Sequence, residues 1–134
     1  MPLTHEALQN FTGTEGYHRY SGLFRRTLLT DGAKYVAEQA GAYWLMDVIA
    51  SHQSKVLRKD ERCRDFQLWK VKVKNGKATV TCWADSGEGE KAVVTQRIPF
   101  TDFPLDEIQF YCNPCDWDDD GNVVARVILL KSEY

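Results

Sequence analysis

Residues 30–53 read TDGAKYVAEQAGAYWLMDVIASHQ, and their spacing predicts two packed helices. Ala33, Val36, Ala37 and Ala40 recur at i, i+3, i+4 and i+7, a stripe of small apolar groups that lets a helix approach its neighbour closely. Thr30 or Asp31 can cap the first turn by accepting an orphan backbone N–H. Gly41 then interrupts the pattern where a second helix can start at a new angle. Over residues 42–53, Trp44, Leu45, Met46, Val48 and Ile49 cover most of the helix circumference and leave Tyr43, Asp47, Ser51 and Ser54 on a narrow stripe. Such a helix is expected at the centre of the fold. A lone carboxylate among apolar neighbours is costly to bury unpaired. Asp47 therefore belongs either on the wet stripe or in a pocket with Tyr43 and His52, where it would act as a base of raised pKa.

Upstream, Thr4 can cap a short helix over residues 5–11, which two glycines in FTGTEG then end. Residues 17–29 are ambiguous: aromatic and β-branched content suggests an extended piece near 23–28, while Gly22, Arg25 and Arg26 leave a helix open. Downstream, residues 54–64 are dense in charge and read as a solvated loop or frayed helix end. Beyond them Trp69, Val71 and Val73 alternate with Lys70, Lys72 and Lys74 before Asn75 and Gly76, the dipeptide suited to positive φ at both positions of a type I′ turn. That turn sets the register, with Lys74 facing Lys77, Val73 facing Ala78, Val71 facing Val80 and Trp69 facing Cys82. One hairpin face is then apolar and Cys82 is buried.

The polar run 85–90 reads as a loop, 93–98 as a strand stopped by Pro99, and Ile108, Phe110 and Cys112 as the centre of another. Residues 123–130 form the last strand, joined to its predecessor through Asp120 and Gly121. Helices first and a strand meander second imply one α+β domain over residues 1–134. Its N-terminal helices pack on one face of a four- to five-stranded antiparallel sheet.

A chain of 134 residues with 43% hydrophobic content supports one cored domain. Its longest apolar run, residues 40–46, falls short of the roughly 20 residues that span a bilayer. The start MPLTHEALQ has no basic-then-apolar signal region, so a soluble, cytoplasmic protein without membrane partners is expected. In that compartment Cys63, Cys82, Cys112 and Cys115 are expected as reduced thiols. Residues 1–77 hold 13 basic and 8 acidic side chains, residues 78–134 hold 4 and 11. That asymmetry fits a basic and an acidic partner-facing surface, and scattered charges on solvated strand faces would give it equally.

No spacing meets a catalytic, metal or cofactor template. Asp116, Asp118, Asp120 and Gly121 open like a calcium loop, but position twelve is Val127, which cannot supply the bidentate carboxylate. Cys112 and Cys115 form a C-x-x-C pair outside the strand-helix context that activates such thiols, and zinc would need two further ligands from elsewhere. His5, His18 and His52 lie in no nucleophile or metal frame. Tyr17, His18, Arg19, Tyr20, Phe24, Arg25 and Arg26 interleave aromatic and basic groups, the mixture that stacks bases and neutralises phosphates. A metal-independent ribonuclease using His18 with Arg19, Arg25 or Tyr20 is the enzyme these residues could make.

The segments FTGTEGYHRY, LLTDGAKYVAEQAGAYWLMDVIASHQ, IPFTDFPLDEIQFY and SEY together resemble a family of short uncharacterised bacterial proteins found on mobile elements and in cyanobacteria. The resemblance is most specific at Thr30, Asp31, Gly32, Ala42, Tyr43, Trp44, Leu45, Asp47, Ser132, Glu133 and Tyr134. It implies no activity, cofactor or catalytic residue, and CNPCDWDDDGN lies outside it. The implied context is that of small proteins that bind and block a larger host or competitor machine. The expected function is accordingly a non-enzymatic protein-binding accessory protein, an inhibitor of a host defence system of the anti-CRISPR kind among the options. Its partner would meet an acidic tip formed by Asp116, Asp118, Asp119 and Asp120 around Trp117. The alternative is a nucleic-acid binder or ribonuclease working through Tyr17, His18, Arg19, Tyr20, Arg25 and Arg26.

Overall fold

The computed structural model describes residues 3–85 and 90–134, and the loop expected at 85–90 falls mostly outside them. In chain order the elements are α1 (His5–Leu8), β1 (His18–Arg19), β2 (Thr27–Leu29), α2 (Asp31–Gln39), α3 (Tyr43–Ser51) and α4 (Gln53–Lys59), followed by a 3-10 turn (Glu61–Arg64). Then come β3 (Leu68–Lys74), β4 (Lys77–Trp83), β5 (Val94–Ile98), β6 (Glu107–Trp117), β7 (Val123–Leu130) and a second 3-10 turn (Lys131–Glu133). The described strands form one seven-stranded sheet in the order β1-β2-β7-β6-β3-β4-β5.

This corrects the expected four- to five-stranded antiparallel sheet behind N-terminal helices. The class is α+β, but the sheet is mixed: β2 runs parallel to β7, with Thr27 opposite Arg126 and Leu29 opposite Ile128. The helices are short, and all but the single turn of α1 follow β1 and β2 instead of leading the chain. Strands of two and three residues are too short to display a period of two. A parallel pair also needs a long crossover and so carries no hairpin signal.

Local rules hold where the pattern is long. Thr30 caps α2, its hydroxyl accepting from the Ala33 N–H, and Gly41 takes φ +58° between α2 and α3. Thr4 caps α1 in the same way, although that helix ends at Leu8. Asn75 and Gly76 have φ of +56° and +73°, and β3 pairs with β4 in the expected register from Lys74 opposite Lys77 to Trp69 opposite Cys82. Of the two readings of the charged run 54–64 the helical one holds, extended over α4 and the 3-10 turn because Val56 and Cys63 enter the core.

Register places Trp69, Val71, Val80, Cys82, Phe110, Cys112, Ile128 and Leu130 on one face of the sheet, where they share a core with Val36, Ala37, Leu45, Met46 and Ile49 of the helices. Gln67 and Arg126, two polar groups inside, are satisfied, as burial demands, whereas the buried Tyr20 hydroxyl and Asn113 Oδ1 make no hydrogen bond. Fully buried Gln67 accepts from the Trp69 indole N–H at 3.0 Å and donates to Gln53 Oε1 and the Cys63 carbonyl. Buried Arg126 donates to the carbonyls of Cys63 and Arg64 and so caps the end of the 3-10 turn.

Candidate functional site

Hairpin β6–β7 outruns the sheet. The pairing of β3 with β6 ends at Leu68 opposite Tyr111, that of β2 with β7 at Thr27 opposite Arg126, and β6 and β7 continue to Trp117 opposite Val123. Register shifts after Pro114 and Asp116 bend the projecting end, as bulges do. The turn is built by Asp118, whose carboxylate accepts from the Asp120 and Asn122 N–H groups at 3.0 and 2.9 Å and from the Asn122 side-chain amide. Those bonds, the Asn122 backbone N–H foremost, hold its pKa below the usual carboxylate range. Gly121 supplies φ +82°, and Arg64 pins the turn by donating to its carbonyl at 2.9 Å. Asp118 is therefore a structural group, while Trp117 stands 54% exposed beside Asp116, Asp119 and Asp120.

The aromatic and basic run 17–26 is not one surface. His18 pairs with Leu29 and turns toward α2, where its Nε2 lies 2.7 Å from Asp31 Oδ1. Asp31 also accepts from the Glu15 N–H, and its own N–H donates to the Thr14 hydroxyl. The His18 contact is the main reason the Asp31 pKa is lowered. Arg19 pairs with Leu28 and takes the opposite face. Tyr17 is exposed, Arg25 bonds back to the Gly22 carbonyl, and Arg26 lines a cleft of about 490 Å³ together with Arg64 and Arg126.

Tyr43 and Asp47 are both exposed on α3, and the residue that joins them is Tyr20. Its ring stacks on Tyr43 at 6.0 Å. Its buried hydroxyl faces the Asp47 carboxylate without closing a full hydrogen bond, and burial, reinforced by that carboxylate, pushes its pKa up. His52 does not join them; it meets Gln96 at 2.5 Å and packs against Trp69. His5 pairs with Asp106 at 3.0 Å, so the three histidines occupy three separate places.

Among the described residues no group of three His, Cys, Asp or Glu side chains converges as a metal site. Cys112 faces the core, where burial pushes its thiol up to about 12, and Cys115 is raised by burial and by Asp116. Contact with Cys63 and burial likewise push the Cys82 thiol up. None of these three shifts favours a thiolate.

Two arrangements escape any local reading. Glu133 reaches the start of α2, accepting from the Thr30 hydroxyl at 2.6 Å, the Gly32 N–H at 3.0 Å and the Leu130 N–H at 2.9 Å. A Cβ on Gly32 would sit 2.5 Å from Glu133 Oε1, so the glycine is what admits the carboxylate to the helix N-terminus. Ser132 meanwhile donates to the Leu8 carbonyl, and the Tyr134 ring lies 4.9 Å from Tyr111. Thr30 and Gly32 at the start of α2 and Glu133 near the last residue of the chain thus meet in one latch. The second arrangement is the sheet face turned away from the helices, where Lys70 lies 5.1 Å from the Trp83 ring and Phe66, Tyr111 and Tyr134 form an aromatic row.

No described helix is long and apolar enough to cross a membrane. No curated protein and no solved structure matches the chain. A family model covers residues 2–134, and the chain belongs to that family of unknown function, DUF6876.

Proposed function

We propose that this chain is a non-enzymatic binding protein that docks onto a larger protein through the β6–β7 tip. The observation that carries the reading is Trp117, a large aromatic left 54% exposed at the end of a hairpin that projects past its neighbours. An indole on a pinned turn loses little freedom on binding, and buried aromatic anchors dominate interface energies. Asp116, Asp119 and Asp120 around it select a basic partner surface and steer its approach. Basic surfaces of that kind belong to nucleic-acid-handling machines, so obstruction of such a complex, a bacterial defence system included, is the action this tip suits. A mobile-element origin would fit that role.

The test is capture of a basic nucleic-acid-binding complex from a bacterial host on the immobilised chain. Trp117→Ala, and separately the pair Asp119→Asn and Asp120→Asn, should abolish or strongly weaken capture while leaving the melting temperature unchanged. Asp118 is kept intact because it holds the turn. Undiminished capture by both variants would remove the tip from consideration.

A further inference from the structure

We infer that the sheet face opposite the helices is a platform for single-stranded RNA, independent of the hairpin tip. Strands β3, β4 and β5 contain no carboxylate. Register puts Lys70, Lys72, Lys74, Lys77 and Arg97 on this face, and β6 adds Glu107 opposite Lys72. Five cations stand against Glu107 and, at the far end of β6, Asp116, a net positive field suited to a polyanion. The three β3 lysines alternate along one strand and so recur about 6.8 Å apart, on the order of the phosphate repeat of an extended single strand.

Flat apolar surface stands at the end of this row. The Tyr111 ring lies 5.2 Å from Phe66 and 4.9 Å from Tyr134, and Tyr134 is 75% exposed. A shallow depression of about 440 Å³ is lined by Phe66, Lys70, Asp85, Gln109, Tyr111 and Lys131. Unpaired bases stack on such rings whatever their identity, whereas duplex bases cannot reach them. Gln109 and Thr79, set among the cations by register, offer neutral donors and acceptors for the 2′-hydroxyl that distinguishes RNA from DNA. The lysine spacing beside the rings is what favours a single strand over an acidic protein.

The experiment is fluorescence anisotropy of the full chain with a labelled single-stranded RNA of about ten nucleotides, its DNA counterpart and the RNA duplex, across a salt series. RNA should bind best, with log K falling against log salt by roughly 0.7 per phosphate engaged. Tyr134→Ala should weaken binding roughly 5- to 150-fold, the range of one base stack, while Tyr134→Phe retains it. Lys72→Glu with Arg97→Glu should lower both the affinity and the salt slope. All three positions lie at the surface or on strand faces away from the core, and circular dichroism melts confirm each fold. Trp117→Ala should bind RNA as the parent does, which separates this face from the tip. Absence of binding at low salt, equal affinity for the DNA strand, or full binding by the folded variants would each overturn the assignment.

Discussion

Hairpins β3–β4 and β6–β7 both turn on a glycine of positive φ, yet they end in opposite surroundings. In β3–β4, Asn75 and Gly76 close a tight turn, and β3 is paired on both sides, so Trp69 is fully buried between Cys82 and Phe110. In β6–β7 the turn is a longer one organised by Asp118 and Gly121, the projecting end has lost its outer neighbours, and Trp117 is exposed. Position in the sheet, not the strand sequence, decides whether a hairpin tryptophan is buried in the core or left exposed.

The contrast breaks most readily at the two tryptophans. Trp69→Ala should cost about 3–5 kcal/mol, because a large buried side chain leaves a cavity that the sheet cannot close, whereas Trp117→Ala should stay within about 0.5 kcal/mol. Urea unfolding of both variants measures the difference, and comparable losses would mean that the tip is packed. A smaller effect is expected where β7 is anchored at the end away from the tip. Gly32→Ala would normally favour a helix, yet its Cβ meets the pinned Glu133 carboxylate and Leu130 at 2.5 and 2.6 Å, so a loss of about 1–3 kcal/mol is expected. Glu133→Gln should fall in the same range by leaving part-buried N–H groups poorly satisfied, and hydrogen exchange should speed at the start of α2.

The smallest effect distinguishes the turns by pH. Asp118 has a lowered pKa in the fold, so its contribution is fully present above the unfolded Asp value of about 3.9 and is lost as pH falls through the folded value. The Asp120 and Asn122 amide resonances should therefore move on acidification, while those of Asn75 and Gly76, in a turn with no carboxylate, stay put. Asp31 and Asp106, held down chiefly by His18 and His5, add losses of the same sign to global stability in that window.

Both hairpins and the paired helices were legible in the residues, down to the Lys74–Lys77 register and the Thr30 cap. The candidate site was legible only in part. The DWDDDG spelling marks a tip, but nothing in it separates Asp118, spent on the turn, from Asp119 and Asp120. The run 17–26 spells a basic aromatic patch, and the strand pairing of β1 splits it by sending His18 and Arg19 to opposite faces. His52, which shares a helical stretch with Tyr43 and Asp47, is drawn off to Gln96 on β5.

Periods of 3.6 and 2, caps and positive-φ turns are relations between close neighbours along the chain, so composition and spacing alone settled α2 and α3, the β3–β4 register and the burial of Trp69 and Cys82. The parallel joining of β2 to β7, the Glu133 latch and the placing of Arg97 and the aromatic row beside the hairpin's lysines had to wait for the packed molecule. Gly32 and Glu133 stand 101 positions apart, and contacts at that separation depend on closing the whole sheet, an event that no local pattern encodes.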